Sequence, residues 1–90
     1  MQVAETPTFT RIIKKLHDNQ KVDVDKAVEA LMQNPETGEL KLGNFAGIRI
    51  YKFKMVKQLT LLAYSWNEGV LVLKLINPGS HENFYRDLKR

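Results

Sequence analysis

Three stretches constrain this chain more than anything else in it: "GIRIYKFKM" ending at Met55, "QLTLLAYSW" from Gln58 to Trp66, and "VLVLKLI" from Val70 to Ile76. Each is rich in β-branched and aromatic residues, which suit a pleated, half-buried surface. The gaps between them are too short for anything but turns. Asn67-Glu-Gly69 reads as a three-residue hairpin loop with glycine available for positive φ. The Met55–Gln58 junction carries neither glycine nor proline and is the weaker turn signal. Sequential strands joined by short turns predict an antiparallel sheet, and "GELKL" before them can supply a short edge strand.

The first third follows a different period. Thr6-Pro7 is a helix start, with threonine as N-cap and proline at the first helical position. Phe9, Ile12, Ile13 and Leu16 then recur at the spacing of one buried helical face. Asp18-Asn19 ends that run. Asp23 can cap a second helix, in which Val24, Ala27, Val28 and Leu31 repeat the spacing, and Pro35 stops it by pushing Asn34 out of helical geometry. Asn34-Pro-Glu-Thr-Gly38 reads as a turn and the stretch from Gly43 to Gly47 as a loop. Ser80 can cap a last helix, with Glu82 in its first turn, Lys89 and Arg90 in its last, and Phe84 and Leu88 on one face. The expected order is α-α-β-β-β-α. The expected class is α+β: a helical hairpin packed on a three- to four-stranded antiparallel sheet, with a short C-terminal helix, in one domain over residues 1–90.

Side chains alternate across a strand, so Tyr51, Phe53 and Met55 share one face while Ile48, Ile50, Lys52 and Lys54 share the other. If the first two helices cover one face, the terminal helix can partly cover the second. The lysines then line a basic concavity beside His81. Lys74 is the one charge inside the last strand and breaks its apolar run.

Charge distribution points the same way. Residues 1–46 carry six Lys/Arg against seven Asp/Glu, and residues 47–90 carry eight against three, within a net charge of +4. A basic half beside a near-neutral half suggests an anionic partner, with nucleic acid the leading candidate, although mild basicity also serves solubility. The chain has no cysteine, which excludes disulfides, thiolate chemistry and cysteine-based metal sites and fits a reducing compartment. No signal peptide and no membrane-length apolar run are read, so a cytoplasmic protein without membrane contact is expected. No Gly-rich phosphate loop, metal-ligand spacing or nucleophilic-serine motif is present, and no metal or cofactor is expected.

The two histidines read differently. His17, beside Leu16 near a helix end, is read as structural or solvated. His81 sits at a helix N-terminus, where the dipole opposes its charge and Glu82 favours it, leaving its titration near neutrality. Tyr85 follows one turn later on the same face. A capping or surface role explains His81 as simply. With nearby lysines, however, the pair forms a kit for RNA cleavage: one group takes the 2′-hydroxyl proton, another protonates the leaving 5′-oxygen, and the cations stabilise the transition state.

The whole chain from about Thr6 to Arg90 resembles a toxin of the RelE/ParE superfamily of bacterial type II toxin–antitoxin systems. Three features carry the resemblance: the helical hairpin ending at "NP", the "GIRIYKFK" strand after a glycine-containing loop, and the "LINPGSHENFY" ending. "GSHENFYRDLKR" is the most specific, being similar to the end of RelE-, YafQ- and HigB-like members. The resemblance implies the RelE-like microbial RNase fold and a ribosome-dependent mRNA endonuclease that cuts messages in the ribosomal A site. It implies that Lys52 and Lys54 match the family's paired catalytic lysines, that His81 falls at the catalytic histidine or arginine, and that Tyr85 falls at a catalytic-site aromatic that stacks on or helps activate the nucleotide. Arg49, Lys57, Lys74 and Arg86 are the further cations expected to hold RNA. Implied partners are a cognate antitoxin, the ribosome and mRNA, with the toxin–antitoxin complex binding operator DNA through the antitoxin.

One departure stands out. Many members carry an arginine in the middle strand, where this chain has Thr60 or Leu61, so Lys57 or Lys74 would have to supply that charge. The departure keeps two alternatives open: a ParE-like inhibitor that acts by binding DNA gyrase, and a non-catalytic binding protein of the same fold.

Overall fold

A computed structural model of the chain describes residues 2–41 and 47–78. Among these residues the elements run β1 (Gln2–Glu5), α1 (Pro7–Lys14), α2 (Asp18–Gln33), β2 (Glu39–Leu40), β3 (Arg49–Met55), β4 (Gln58–Asn67) and β5 (Val70–Pro78). The five strands form one sheet of order β1-β5-β4-β3-β2. The α+β class is as expected. The terminal helix proposed from Ser80 onwards lies outside the described residues.

The sheet departs from expectation at its first strand. β1, which no strong sequence pattern marks, pairs parallel with β5, Val3 lying beside Leu71 and Glu5 beside Leu73. The sheet is therefore mixed, not purely antiparallel. The remaining pairs, β2–β3, β3–β4 and β4–β5, are antiparallel as anticipated. The "GELKL" segment does form the short edge strand, pairing at Glu39–Ile50 and Leu40–Arg49.

Helix boundaries also shift. Thr6 caps α1 as expected, its side chain accepting from the Phe9 N–H. The helix stops at Lys14, where i→i+3 bonds from Lys15 N–H to Ile12 and from Leu16 N–H to Ile13 tighten the last turn. α2 then begins at Asp18 instead of Asp23. Its N-cap is His17, whose extended backbone (φ −73°, ψ 160°) starts the helix and whose N–H donates to Gln20 Oε1 at 2.8 Å. His17 is thus structural, but it opens the second helix and does not close the first. Asn34 ends α2 in extended geometry ahead of Pro35.

Both hairpins use two-residue turns. Val56 and Lys57 have φ of 48° and 71°, and Glu68 and Gly69 have 49° and 81°. Positive φ at both central positions matches the right-handed twist of the flanking strands. Because Asn67 pairs with Val70, the second loop is one residue shorter than expected.

The main core lies between the sheet and the two helices, built on Phe9, Val24, Leu31, Met55, Leu62 and Tyr64 with Leu71, Leu73 and Ile76. A second cluster of Ile50, Leu61, Ala63 and Leu75 is also buried. The two clusters use adjacent parts of β5 because the register shifts there: Tyr64 faces Leu73 while Ala63 faces Leu75, leaving Lys74 as an extra residue. The bulge reverses which face later residues meet. Leu73 joins the helix-side core and Leu75 the other cluster, and the lysine that interrupts the apolar run is the bulge itself.

Candidate functional site

Strand alternation and pairing place the lysines as the sequence suggested. Tyr51, Phe53 and Met55 pack on the helix side, with the Tyr51 and Phe53 rings stacked at 5.9 Å and 17°. Lys52 and Lys54 therefore project from the other face, together with Ile50, and both are exposed. Two residues apart on one strand, they stand about 7 Å from each other. Opposed residues in a pair share a face, so Lys52 neighbours Leu61 and Lys54 neighbours Leu59. On β5, Asn77 continues the Lys52–Leu61 row, and Leu75 continues that of Ile50 and Ala63. The result is two exposed cations beside a buried apolar cluster, with Leu59 the apolar neighbour that reaches the surface at 38% exposure. Among the described residues, the ion pair Lys41–Glu39 involves neither of them.

This register separates the two middle-strand positions, Thr60 and Leu61, by face. Thr60 opposes Phe53 on the helix side, is buried, and donates its hydroxyl to the Gln58 carbonyl. Leu61 alone of the two residues lies on the lysine face. An arginine at position 61 would stand beside Lys52; here a leucine at 1% exposure belongs to the buried second cluster instead. The sequence already contained this answer, since alternation from Phe53 through the turn assigns the face.

The other cations divide. Lys57 is exposed in the β3–β4 turn, at the end of the strand that carries both lysines. Lys74 is half-buried at the bulge, with its carbonyl accepting from Thr6 Oγ1 at 2.6 Å. Arg49 is half-buried, and its Nη1 donates to the carbonyls of Gly38 at 2.9 Å and Glu36 at 3.3 Å. That guanidinium clamps the Asn34–Gly38 turn. His81, Tyr85 and Arg86 lie outside the described residues.

Two supports were not foreseen in the sequence. Asp23, on α2, accepts the Val56 N–H at 2.8 Å and so ties the second helix to the turn between the lysine strand and its partner. Tyr64 is fully buried; its hydroxyl donates to the Pro35 carbonyl at 2.6 Å and accepts the Gly38 N–H at 2.9 Å. Burial pushes the Tyr64 phenol above its ordinary titration range, outweighing the Gly38 hydrogen bond and the Arg49 charge that act in the other direction. Gly38 is required because a Cβ there would lie 2.7 Å from the Tyr64 ring and hydroxyl. Local pattern marks Asp23 as a helix cap and Tyr64 as a strand residue, and neither bond shows there because each joins elements far apart in the chain.

No group of three His, Asp or Glu side chains suited to hold a metal ion occurs among the described residues. No described helix is long and apolar enough to cross a membrane.

Comparison with known proteins follows the same line. A family model described as the ParE-like toxin of type II bacterial toxin–antitoxin systems matches residues 3–89. No curated protein matches the chain by sequence. Among solved structures, the RelE toxin fold is shared with the intact E. coli RelBE toxin–antitoxin complex, at TM-score 0.70 and 15% identity over 89% of this chain and 98% of that one. The isolated E. coli RelE toxin gives TM-score 0.70 and 15% identity over 96% and 92%. The archaeal RelE–RelB complex from Pyrococcus horikoshii OT3 gives 0.59 and 13% over 89% and 96%.

Proposed function

This chain belongs to the ParE-like toxin family of type II bacterial toxin–antitoxin systems, and from that membership we propose that it arrests translation by cleaving mRNA in the ribosomal A site. The observation that carries the reading is the pair of exposed lysines, Lys52 and Lys54, projecting together beside the exposed Leu59. Two neighbouring cations on a rigid strand suit a phosphodiester whose charge rises as the reaction proceeds. Leu59, exposed beside Lys54, offers an apolar contact to a base or ribose.

In this reaction the 2′-oxygen attacks phosphorus and its proton passes to a base. The bond to the 5′-oxygen breaks as an acid protonates it, leaving a cyclic phosphate and a free 5′-hydroxyl. His81 and Tyr85 are proposed for proton transfer and nucleotide stacking, with Lys52 and Lys54 stabilising the transition state. Lys57 and Arg86 are proposed to hold flanking phosphates. Lys74 contributes charge from the bulge, and Arg49 acts mainly by holding the turn beside β3.

An antitoxin is the proposed partner. A segment with acidic and apolar residues would neutralise the lysines and cover Leu59, and the resulting complex would reach operator DNA through the antitoxin. Mapping mRNA ends in a translating cell-free extract tests the proposal: new ends that require ribosomes and vanish in His81→Ala support it. Intact mRNA in an arrested extract overturns it.

Leu61 on the lysine face favours one second reading, binding inhibition of DNA gyrase, because a binding surface needs no arginine there. Inhibition of purified gyrase with messages left intact would select it.

A further inference from the structure

The helix side of the molecule carries a second surface of opposite character. A groove of about 360 Å³ opens between β1, α1 and α2, with Phe9, Val24 and Leu73 at its base. Val3, Val28 and Met32 line it higher up, and Val3 and Met32 are 40% and 41% exposed. The titratable groups lining it, Glu5, Asp25 and Glu29, are all acidic, although the chain as a whole is basic.

Sheet register extends this apolar strip. Val3 pairs with Leu71 and Leu71 with Trp66, so the three lie in one row on the helix face. Leu71 is fully buried between its neighbours, while Trp66 is 36% exposed. Three large apolar side chains that meet water, Val3, Met32 and Trp66, thus belong to one side of the molecule; the charges lining the groove there are acidic, while Arg11 and Lys14 lie beyond Glu5 in the adjoining pocket.

We propose that this groove docks an amphipathic helix whose apolar strip is flanked by Lys or Arg. Apolar anchors spaced one turn apart would enter between Val3 and Met32. Cations beside that strip would meet Glu5, Asp25 and Glu29, which select the sign of the partner more than they add affinity. The surface lies across the sheet from Lys52 and Lys54, and its ligand has the opposite charge to theirs. The proposal therefore stands independently of any nuclease activity.

The test uses the full chain and two tryptophan-free synthetic helices of one design, sharing an apolar strip and flanked by Lys in one and Glu in the other. Trp66, the single tryptophan of the chain, reports binding through its emission. The Lys-flanked helix is expected to saturate and shift that emission, binding at least about tenfold tighter than the Glu-flanked one at low salt. Asp25 and Glu29 are exposed, so the double variant Asp25→Lys/Glu29→Lys retains the fold, checked by circular dichroism, and is expected to reverse the preference. Equal binding of both helices, no saturable binding, or a preference that survives the double variant overturns the proposal. So does concentration-dependent self-association that Met32→Glu abolishes, which would make a second copy of this chain the occupant.

Discussion

The Thr6 hydroxyl donates to the carbonyl of Lys74 at 2.6 Å while accepting the Phe9 N–H at 3.2 Å. One side chain therefore caps the first helix and closes the backbone of the β5 bulge. The Thr6 N–H adds a bond to Leu73, so the β1–α1 junction and the bulge are held as a unit.

Thr6→Val keeps the side-chain shape and removes both hydroxyl bonds. A lost N-cap and a lost part-buried hydrogen bond together are expected to cost about 1–3 kcal/mol. Urea denaturation of the variant measures it, and a change under about 0.5 kcal/mol would show that the bulge stands without Thr6.

Tyr64→Phe leaves the Gly38 N–H and the Pro35 carbonyl without their partner and is expected to cost about 1–3 kcal/mol near neutral pH. The phenol titrates higher in the folded chain than in the unfolded one. Its neutral form is the one the fold holds, so its contribution is complete below the unfolded value and is lost as pH rises through the folded value. Stability measured upward from neutrality should fall in the alkaline range, and Tyr64→Phe should remove that part of the fall.

Gly38→Ala forces a Cβ to within 2.7 Å of the Tyr64 ring and 3.1 Å of the Ile50 carbonyl. The backbone oxygen and the buried ring have little room to yield, so a loss of about 1–3 kcal/mol is expected. A melting temperature equal to that of the parent chain would mean the turn can move away from Tyr64.

Val56 holds φ of 48° in a turn, an unfavourable position for a β-branched residue. Val56→Asn with Lys57→Gly supplies the residues such a turn prefers and is expected to stabilise the chain by about 1 kcal/mol. Asp23→Ala removes the acceptor of the Val56 N–H and should act in the opposite direction by roughly 1 kcal/mol. Chemical denaturation of the three chains checks the order.

Lys52→Ala and Lys54→Ala change exposed positions and should alter stability by less than about 0.5 kcal/mol. On the proposed reaction each should lower the rate of ribosome-dependent cleavage by about 10²-fold or more. Unchanged cleavage by the double variant would remove these lysines from the site.

Alternation alone placed Lys52 and Lys54 on one face and Tyr51 and Phe53 on the other, because strand period is a local property that survives any choice of partner. The same holds for the Phe9 and Val24 helical faces, the Thr6-Pro7 start and the Asn67–Gly69 hairpin. The helix boundary at His17 was misplaced because the apolar spacing of Phe9 to Leu16 continues one turn beyond the backbone that forms the helix.

Only the tertiary structure decided what depends on distant partners. β1 is too short to announce itself and becomes a strand because β5 offers it a parallel edge. Lys74 interrupts an apolar run for no visible local reason until Tyr64 and Leu73 set the register around it. Asp23 reads as a helix cap and Arg49 as a cation for RNA, yet one holds the Val56 turn and the other the Gly38 turn. Local pattern gave each residue its face; pairing across the sheet chose its neighbours, and the neighbours decide whether a charge is available to a ligand or committed to the fold.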